Sequence, residues 1–269
     1  MSRIAILSDI HANSDALSVV LKKCSALAIS EYISLGDIVG YNAEPEKCLD
    51  MVRDLNFRAM VIGNHDYYAI AGDPGLSGFN PVAREAISWT REHINSENAE
   101  FLRRRESCIV PGTGITAVHA TLDTPHSWGY IFDRGHAGAS FSYQLTQLCF
   151  CGHTHHPVAF DRSAVPGGDS NIVEMPDWCR NRFHPENDTD FSIADELMIP
   201  YARGHKYLIN VGSIGQPRNG DPRASFAVVD TDRCQITRYR LPYDIASAQE
   251  KILAAGLPEV LAKRLASGR

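Results

Sequence analysis

The sequence predicts an α/β fold, because short apolar runs alternate with segments of helical periodicity and the runs end in polar, ligand-type residues. Three strand-like runs lie near the start of the chain: Arg3 to Leu7, Tyr32 to Leu35 and Arg58 to Ile62. The segments between them carry apolar residues at the helical period, after a capping residue at Asn13 or Ser14 and after Pro45. Strand, helix, strand, helix and strand at this spacing indicate a βαβαβ unit.

The remainder of the chain continues this mixture of strands and helices. Helical patterns run from Pro81 to about Arg105 and again before Leu148. Further strands are predicted at Cys108 to Val110, Gly114 to Val118, Leu148 to Cys151, Tyr207 to Val211 and Ser225 to Val229. Residues from about 166 to 205 are interpreted as an insertion, and residues from about 245 to 265 as a pair of helices. Because 269 residues suit one large domain, we predict a single domain over residues 1–269.

Composition and charge argue against several classes of protein. The formal net charge of −6 and the pI near 6.0 disfavour stable nucleic-acid binding. No apolar run approaches the roughly 20 residues that span a bilayer, and the N-terminus lacks a signal-peptide pattern. Seven cysteines, an odd number, then predict reduced thiols and a cytoplasmic protein. Cys149 and Cys151 are interpreted as core residues of a strand, and the oligomeric state is left open.

Five of the predicted strands end in Asp, Asn or His. The seven side chains concerned are Asp9, His11, Asp37, Asn64, His119, His153 and His155. Because ligands collect at the carboxyl ends of strands in open α/β sheets, we expect these side chains to form one site. The lack of a thiolate among them favours manganese or iron, with zinc as a third candidate. Two such ions about 3.5–4 Å apart can clamp a phosphate and activate water, so the residues predict a two-metal phosphoester hydrolase.

Each of these motifs, taken alone, has a simpler explanation. Asp9 could cap a helix, Gly36-Asp37 could be an ordinary turn, and the two histidines at 153 and 155 could lie in a surface loop. Their joint occurrence, in this order and always after a strand, favours the metal site.

Five motifs between residues 9 and 155 resemble those of the calcineurin-like metallophosphoesterase superfamily: Asp-x-His, Gly-Asp-x-x-Gly, Gly-Asn-His-Asp, His-Ala and Gly-His-Thr-His. The later segment from Asn210 to Arg218 resembles part of its bacterial and archaeal phosphodiesterase-like branch. The resemblance implies a four-layer α/β/β/α sandwich, in which two mixed sheets lie face to face and helices flank them.

The resemblance also implies roles for the residues that match its motifs. Two divalent metal ions would be bound, the first by Asp9, His11 and His155 and the second by Asn64, His119 and His153, with Asp37 bridging both. His65 would contact the phosphate and protonate the leaving oxygen. A hydroxide that bridges the metals would attack phosphorus directly, without a covalent enzyme intermediate.

One stretch departs from the pattern of the superfamily's Ser/Thr protein phosphatases. Those enzymes have Asp-Arg-Gly where this chain has Gly40, Tyr41 and Asn42. The phosphate-binding arginine and the aspartate that orients the catalytic histidine are therefore missing from these places. The departure disfavours a protein phosphatase and leaves open what orients His65.

We expect a phosphodiesterase, or also a phosphomonoesterase, that acts on a small nucleotide-like phosphoester. The alternative is a non-catalytic scaffold of the same fold that binds protein partners. Scaffolds of this kind tend to lose metal ligands or the catalytic histidine, whereas this chain has all seven ligands and His65.

Substrate contacts are predicted at Asn64, His65, Tyr41, His126 and Arg218. His126 has a second interpretation as an exposed loop histidine, and Arg218 as one partner of a surface ion pair. Asp66 either orients His65 or caps the following helix, and capping is favoured.

Overall fold

Two six-stranded β-sheets lie face to face in the computed structural model, which describes residues 3–71, 76, 78–105, 108–110, 114–163, 171–179 and 191–269. The strands are β1 (Arg3–Leu7), β2 (Glu31–Ser34), β3 (Phe57–Met60), β4 (Cys108–Val110), β5 (Ile115–Ala117), β6 (Leu148–Cys151), β7 (Val158–Ser163), β8 (Ile172–Glu174), β9 (Asp195–Pro200), β10 (His205–Asn210), β11 (Ala224–Asp230) and β12 (Gln235–Leu241). The helices are α1 (Ser14–Ala26), α2 (Pro45–Arg53), α3 (Asn64–Ile70), α4 (Pro81–Glu92), α5 (Ser96–Arg103), α6 (Arg134–Tyr143), α7 (Pro176–Cys179), α8 (Ile245–Ala254) and α9 (Glu259–Ser267).

Both sheets combine parallel and antiparallel strands. The first sheet has the order β3-β2-β1-β11-β12-β9, and the second has the order β4-β5-β6-β10-β7-β8. Strands β1, β2 and β3 are parallel to one another, as are β5, β6 and β10, while the remaining pairs are antiparallel. The predicted architecture of two mixed sheets flanked by helices is confirmed.

The core forms because the central strands are buried on both faces. In β1, Ile4 and Ile6 pack toward the second sheet, whereas Ala5 and Leu7 pack toward the outer helices. This alternation follows from the two-residue period of a strand. Apolar residues of α1 and α2, including Leu17, cover the outer face of the first sheet. Cys149 and Cys151 are buried free cysteines on the outer face of the second sheet, beside α6, as interpreted from the sequence.

The parallel strands bring the loops that follow them to one edge of the sandwich. The loop after β1 is tied to the loop after β2 by a backbone hydrogen bond from His11 N to Asp37 O (2.9 Å). The loop after β10 joins them through Gly215 N, which donates to Asp9 O (2.9 Å). In the second sheet, Gly152 N donates to His119 O (2.9 Å). Five loops that carry predicted ligands or Arg218 are thus fixed relative to their neighbours by backbone bonds.

Several elements differ from the sequence prediction. The helical stretch from Pro81 to Arg105 is divided into α4 and α5, because Asn95 caps a new helix by accepting a hydrogen bond from Asn98 N (2.8 Å). Strands β7 and β12 were not predicted. In the segment 166–205, the described residues include β8 and β9, which form the outer strands of the second and first sheets. The predicted C-terminal pair corresponds to α8 and α9, and the predicted turn at 111–114 lies mostly outside the described residues.

A buried charge network fixes the segment between β10 and β11. Asp221 accepts hydrogen bonds from Arg223 Nη2 and Arg240 Nη1, each at 2.6 Å, and all three side chains are 1% exposed. Although burial opposes a charge on Asp221, the hydrogen bond from Arg223 lowers the pKa of this carboxyl group. Because unpaired buried charges are costly, the network holds the far end of the loop that carries Arg218.

Within the described residues, no helix combines the length and the apolar character needed to cross a membrane.

Candidate metal centre

Three predicted ligands from the two sheets form a first cluster. Asp9 follows β1 and His155 follows β6, and together with His11 their ligand atoms lie within 4.8 Å of one another. His11 Nε2 is 3.1 Å from His155 Nε2, and Asp9 Oδ1 is 3.3 Å from the same His155 atom. The three side chains are at most 2% exposed, so the cluster lies in a low-dielectric interior.

A second cluster lies beside the first. It contains Asp37, His119 and His153, whose ligand atoms also lie within 4.8 Å of one another. Asn64, the first residue of α3, places its Oδ1 3.1 Å from His119 Nε2. The structure thus brings all seven predicted ligands together at the edge where the parallel strands end.

Asp37 of the second cluster also faces the first cluster. Its Oδ1 accepts a hydrogen bond from His65 N (2.8 Å), which fixes the start of α3 against the carboxylate. Its Oδ2 is 3.6 Å from His11 Nε2 in the first cluster and 3.4 Å from His119 Nε2 in the second. This Oδ2 is buried and has no hydrogen-bond partner. A buried carboxylate oxygen without a donor is costly unless a cation neutralises it.

Backbone carbonyl groups orient all four histidine rings. The contacts are His11 Nδ1 to Val39 O (3.0 Å), His119 Nδ1 to Leu35 O (2.7 Å), His155 Nδ1 to Gln216 O (2.6 Å) and His153 Nε2 to Trp128 O (2.9 Å). Since a carbonyl only accepts, each contacting nitrogen carries the proton and donates. In the three rings whose pKa is lowered by burial, His11, His153 and His155, the second nitrogen is left as an acceptor, which is the arrangement found around metal-bound histidines.

The protonation and spacing of the donor atoms suit divalent cations. Burial lowers the pKa of both His11 and His155 well below the ordinary value, so these rings are neutral. Their unprotonated Nε2 atoms nevertheless face each other at 3.1 Å, where two lone pairs repel. In the second cluster Asn64 Oδ1 lies 3.1 Å from His119 Nε2, which places an oxygen and a nitrogen donor together. A cation between such atoms turns the repulsion into coordination, and nitrogen and oxygen donors without a thiolate suit manganese, iron or zinc.

The negative charge of Asp37 also favours a cation at this site. Although burial opposes a charge on the ring, the Asp37 carboxylate raises the pKa of His119 to about 9. Burial also raises the pKa of Asp9 to about 7. Both shifts favour bound positive charge in this pocket, which a proton or a metal ion can supply.

The backbone is strained at the ligands. Five of the seven predicted ligands have a positive φ: Asp9 (52°), His11 (48°), Asp37 (54°), His153 (68°) and His155 (59°). Non-glycine residues rarely adopt this left-handed conformation, which costs on the order of 1–3 kcal/mol each and is found mainly at functional sites. The chain therefore turns sharply after β1, β2 and β6, where these five ligands are aimed into the clusters.

His65 is held by aromatic packing. The ring is 3% exposed and lies 4.3 Å from the Tyr41 ring and 5.5 Å from the Phe79 ring, between centroids. Gly40 has φ +92°, and a Cβ at this position would be 2.5 Å from His65 Nδ1. Glycine is required where the chain must come this close. The Gly40-Tyr41 pair that replaces Asp-Arg therefore contacts the histidine directly.

Asp66 does not orient His65. Its Oδ1 accepts hydrogen bonds from Ile38 N (2.8 Å) and Val39 N (3.1 Å), and its Oδ2 accepts one from Gly63 N (3.3 Å) at the start of α3. The favoured interpretation of Asp66 as a helix cap agrees with these contacts. Asp66 also fixes the loop after β2 to α3.

A cavity of about 390 Å³ opens beside the two clusters. Its lining includes Tyr41, Asn64, His65 and Arg218, which are four of the five predicted substrate contacts. Arg218 lies 5.3 Å from the centre of the Tyr41 ring and donates from Nη2 to Gln216 Oε1 (2.9 Å), while its buried Nε has no partner. His126 is exposed outside the cavity lining, against the outer side of Trp128.

The sequence interpretation missed the aromatic part of this cavity. Tyr68, Phe79, Trp128 and Tyr130 also line it. One available signal was the alternation of aromatic residues at positions 128, 130 and 132, in a polar loop that follows His119.

The site and fold together define a class of protein. The chain belongs to the calcineurin-like phosphoesterase superfamily, whose domain model matches residues 2–174. The resemblance seen in the motifs is confirmed.

Relatives match over the whole chain. The uncharacterized protein MJ0912 of Methanocaldococcus jannaschii is 36% identical over 271 residues, which cover 100% of this chain and 99% of that protein. A metallophosphoesterase of Sphaerobacter thermophilus is 38% identical, and its crystal structure matches with a TM-score of 0.80 over 99% of each chain. The crystal structure of the hypothetical protein PH1004 of Pyrococcus horikoshii has a TM-score of 0.75 over 100% of this chain and 99% of that one. At 19% identity, that last match shows the fold alone.

The position of Asp37 predicts that Asp37→Asn lowers metal content at both clusters, because one carboxylate oxygen faces both. Metal analysis after manganese loading and gel filtration should show well below one ion per chain, against about two in the wild type. Asp9→Asn is the matched control, since Asp9 belongs to the first cluster only, and it should retain about one ion. Retention of about two ions by Asp37→Asn would contradict the shared position.

Proposed function

We propose that this protein is a binuclear-metal-dependent phosphoester hydrolase, and that its substrates are small nucleotide-like phosphodiesters, with monoesters as a second class. The observation that carries the proposal is the buried Asp37 Oδ2, which lacks a donor and lies between two sets of inward-facing donor atoms. His65 and Arg218 line the same cavity.

The seven donors would divide between two ions. Asp9, His11 and His155 would hold the first, Asn64, His119 and His153 would hold the second, and Asp37 would serve both. Manganese or iron is favoured by the mixed nitrogen and oxygen donors, with zinc as a further candidate. When bound, the two ions supply Lewis acidity toward the phosphate and activate water.

His65 provides a proton to the leaving oxygen in this proposal. The Nδ1 edge of the ring faces Gly40, so Nε2 is the atom available to a ligand in the cavity. Tyr41 and Phe79 hold the ring plane, which limits the rotation that would misalign the proton. The orientation that an aspartate supplies in the protein phosphatases is supplied here by ring packing.

Arg218 provides positive charge for the phosphate. Among the residues that line the cavity, all within the described part of the chain, Arg218 is the single arginine or lysine. It comes from the loop after β10, whereas the arginine of the Asp-Arg-Gly pattern would stand at position 41. Its unpartnered Nε and its position over Tyr41 make it available for a charge-assisted hydrogen bond to a phosphate oxygen.

Hydrolysis of a chromogenic diester tests the proposed function. Manganese-loaded protein should hydrolyse bis(p-nitrophenyl) phosphate faster than p-nitrophenyl phosphate, and a chelator should abolish both reactions. Asp37→Asn, purified in parallel, controls for contaminating phosphatases. A protein that holds about two metals per chain but hydrolyses neither a diester nor a monoester would refute the proposal.

The variant His65→Asn should keep its metals and lose rate in a way that depends on the leaving group. General acid catalysis contributes about 100- to 10,000-fold, and poor leaving groups need the proton most. We expect a large fall in kcat for phenyl esters and a smaller fall for p-nitrophenyl esters, with metal content measured as the control. Equal losses for both esters would exclude the acid role of His65.

The variant Arg218→Gln should weaken substrate binding. Loss of a hydrogen bond to a charged group costs roughly 1.5–3 kcal/mol, so KM for the diester should rise on the order of 10- to 100-fold. Arg103→Gln is the matched control, since Arg103 is 53% exposed on α5 and pairs with Glu100. If Arg218→Gln and Arg103→Gln have the same KM, the phosphate contact is refuted.

A further inference from the structure

Two rings that line the cavity, Trp128 and Tyr130, continue through ring contacts into an aromatic surface that the proposed phosphoester chemistry does not use. We call it the aromatic rim, and it consists of Tyr67, Trp128, Tyr130 and Phe132. Among the described residues, four tyrosine or phenylalanine side chains are exposed, and three of them belong to the rim: Tyr67 (42%), Tyr130 (49%) and Phe132 (51%). Large exposed apolar side chains that cluster at one place mark binding surfaces.

The rim is continuous with the second metal cluster. The Tyr130 ring stacks on the His153 ring with centroids 4.4 Å apart and an interplanar angle of 26°. Phe132 continues the stack, 5.6 Å from Tyr130 and nearly parallel at 5°. The Trp128 ring belongs to the same surface, and its centroid lies 6.2 Å from that of Tyr67 and 5.9 Å from that of His119. A phosphate beside the clusters would therefore place its substituent against these rings.

The backbone holds Trp128 in place before any ligand binds. Trp128 has φ +54°, a strained conformation for a residue with a bulky side chain. Its carbonyl accepts the hydrogen bond from His153 Nε2 (2.9 Å), so a predicted ligand and the rim are linked through one peptide group. A pre-ordered aromatic surface loses little conformational entropy on binding.

Polar groups accompany the rings. Asn80 and Ser127 are exposed and line the cavity beside Trp128 and Tyr130. Asn80 Oδ1 caps α4 by accepting a hydrogen bond from Ala83 N (2.9 Å). The edge of a nucleobase offers donors and acceptors for the remaining polar atoms, the Asn80 amide nitrogen and the Ser127 hydroxyl. Stacking on aromatic side chains together with hydrogen bonds to the base edge is the usual mode of recognition for unpaired bases.

We propose that the aromatic rim binds the nucleobase of the substrate, which makes nucleotide phosphoesters the substrate class of this site. This inference rests on the proposed function for the phosphate position. Stacking contributes about 1–3 kcal/mol per base, which corresponds to roughly 5- to 150-fold in binding.

The kinetic test compares two diesters that differ only beside the shared p-nitrophenyl leaving group: thymidine 5′-(p-nitrophenyl phosphate) and methyl p-nitrophenyl phosphate. The wild type should favour the nucleoside diester in kcat/KM, and the ratio should fall about 5- to 150-fold in Phe132→Ala and in Tyr130→Ala. Tyr143→Ala is the control, because Tyr143 is a 62% exposed aromatic residue on α6 that is not part of the aromatic rim. A ratio that is the same in all four proteins would overturn the nucleobase site and leave the proposed function intact.

A binding measurement separates this inference from catalysis. Calorimetry on the metal-loaded protein should show 5′-AMP binding more tightly than ribose 5-phosphate or phenyl phosphate, with the preference reduced in Phe132→Ala. That result would support the rim even in a protein that hydrolyses no phosphoester. Phenyl phosphate binding as tightly as 5′-AMP would show a general aryl site and overturn the assignment to a base. A preference for 5′-AMP that Phe132→Ala and Tyr130→Ala both retain would overturn it as well.

Discussion

The carboxylate of Asp37 is the constraint on which the rest of the site depends. One oxygen accepts the amide of His65 and thereby fixes the start of α3, while the other lies unpartnered between two groups of donor atoms. That second oxygen lies 3.6 Å from His11 Nε2 of the first cluster and 3.4 Å from His119 Nε2 of the second. A buried charge in this position cannot be left without a counter-charge, so the metal donors, the histidine and the cavity are arranged around a single negative group.

The two sheets hold these groups close together, because every ligand lies just after the end of a buried strand. Parallel strands bring their carboxyl ends to one edge, and the left-handed turns at five ligands redirect the chain toward a common centre. The strain is offset by the packed core on which the strands lie and by the backbone hydrogen bonds between loops. Strained ligands on a rigid framework keep the donor atoms close together even though they repel each other.

The ligands could be predicted from sequence because each belongs to a local pattern of an apolar run followed by Asp, Asn or His. Strand β12 could not, since its Arg238 and Arg240 look like surface residues and become buried only by pairing with Asp195 and Asp221 from distant segments. The aromatic rim and the packing of Tyr41 and Phe79 on His65 also depend on loops that meet only in the fold. The choice of metal, the substrate contacts and the cytoplasmic location stay predictions.

The substitution of Gly40-Tyr41 for Asp-Arg changes the chemistry of the pocket as a whole. In this chain the positive charge comes from Arg218 on another loop, and the Tyr41 ring fills the space between that guanidinium and His65. The pocket therefore gains aromatic surface on the side of His65 and keeps its single guanidinium group. Trp128 and Tyr130 of the aromatic rim line the same cavity. Under the proposed function, a pocket with this many rings suits a phosphate carrying a flat substituent better than a phosphorylated serine or threonine.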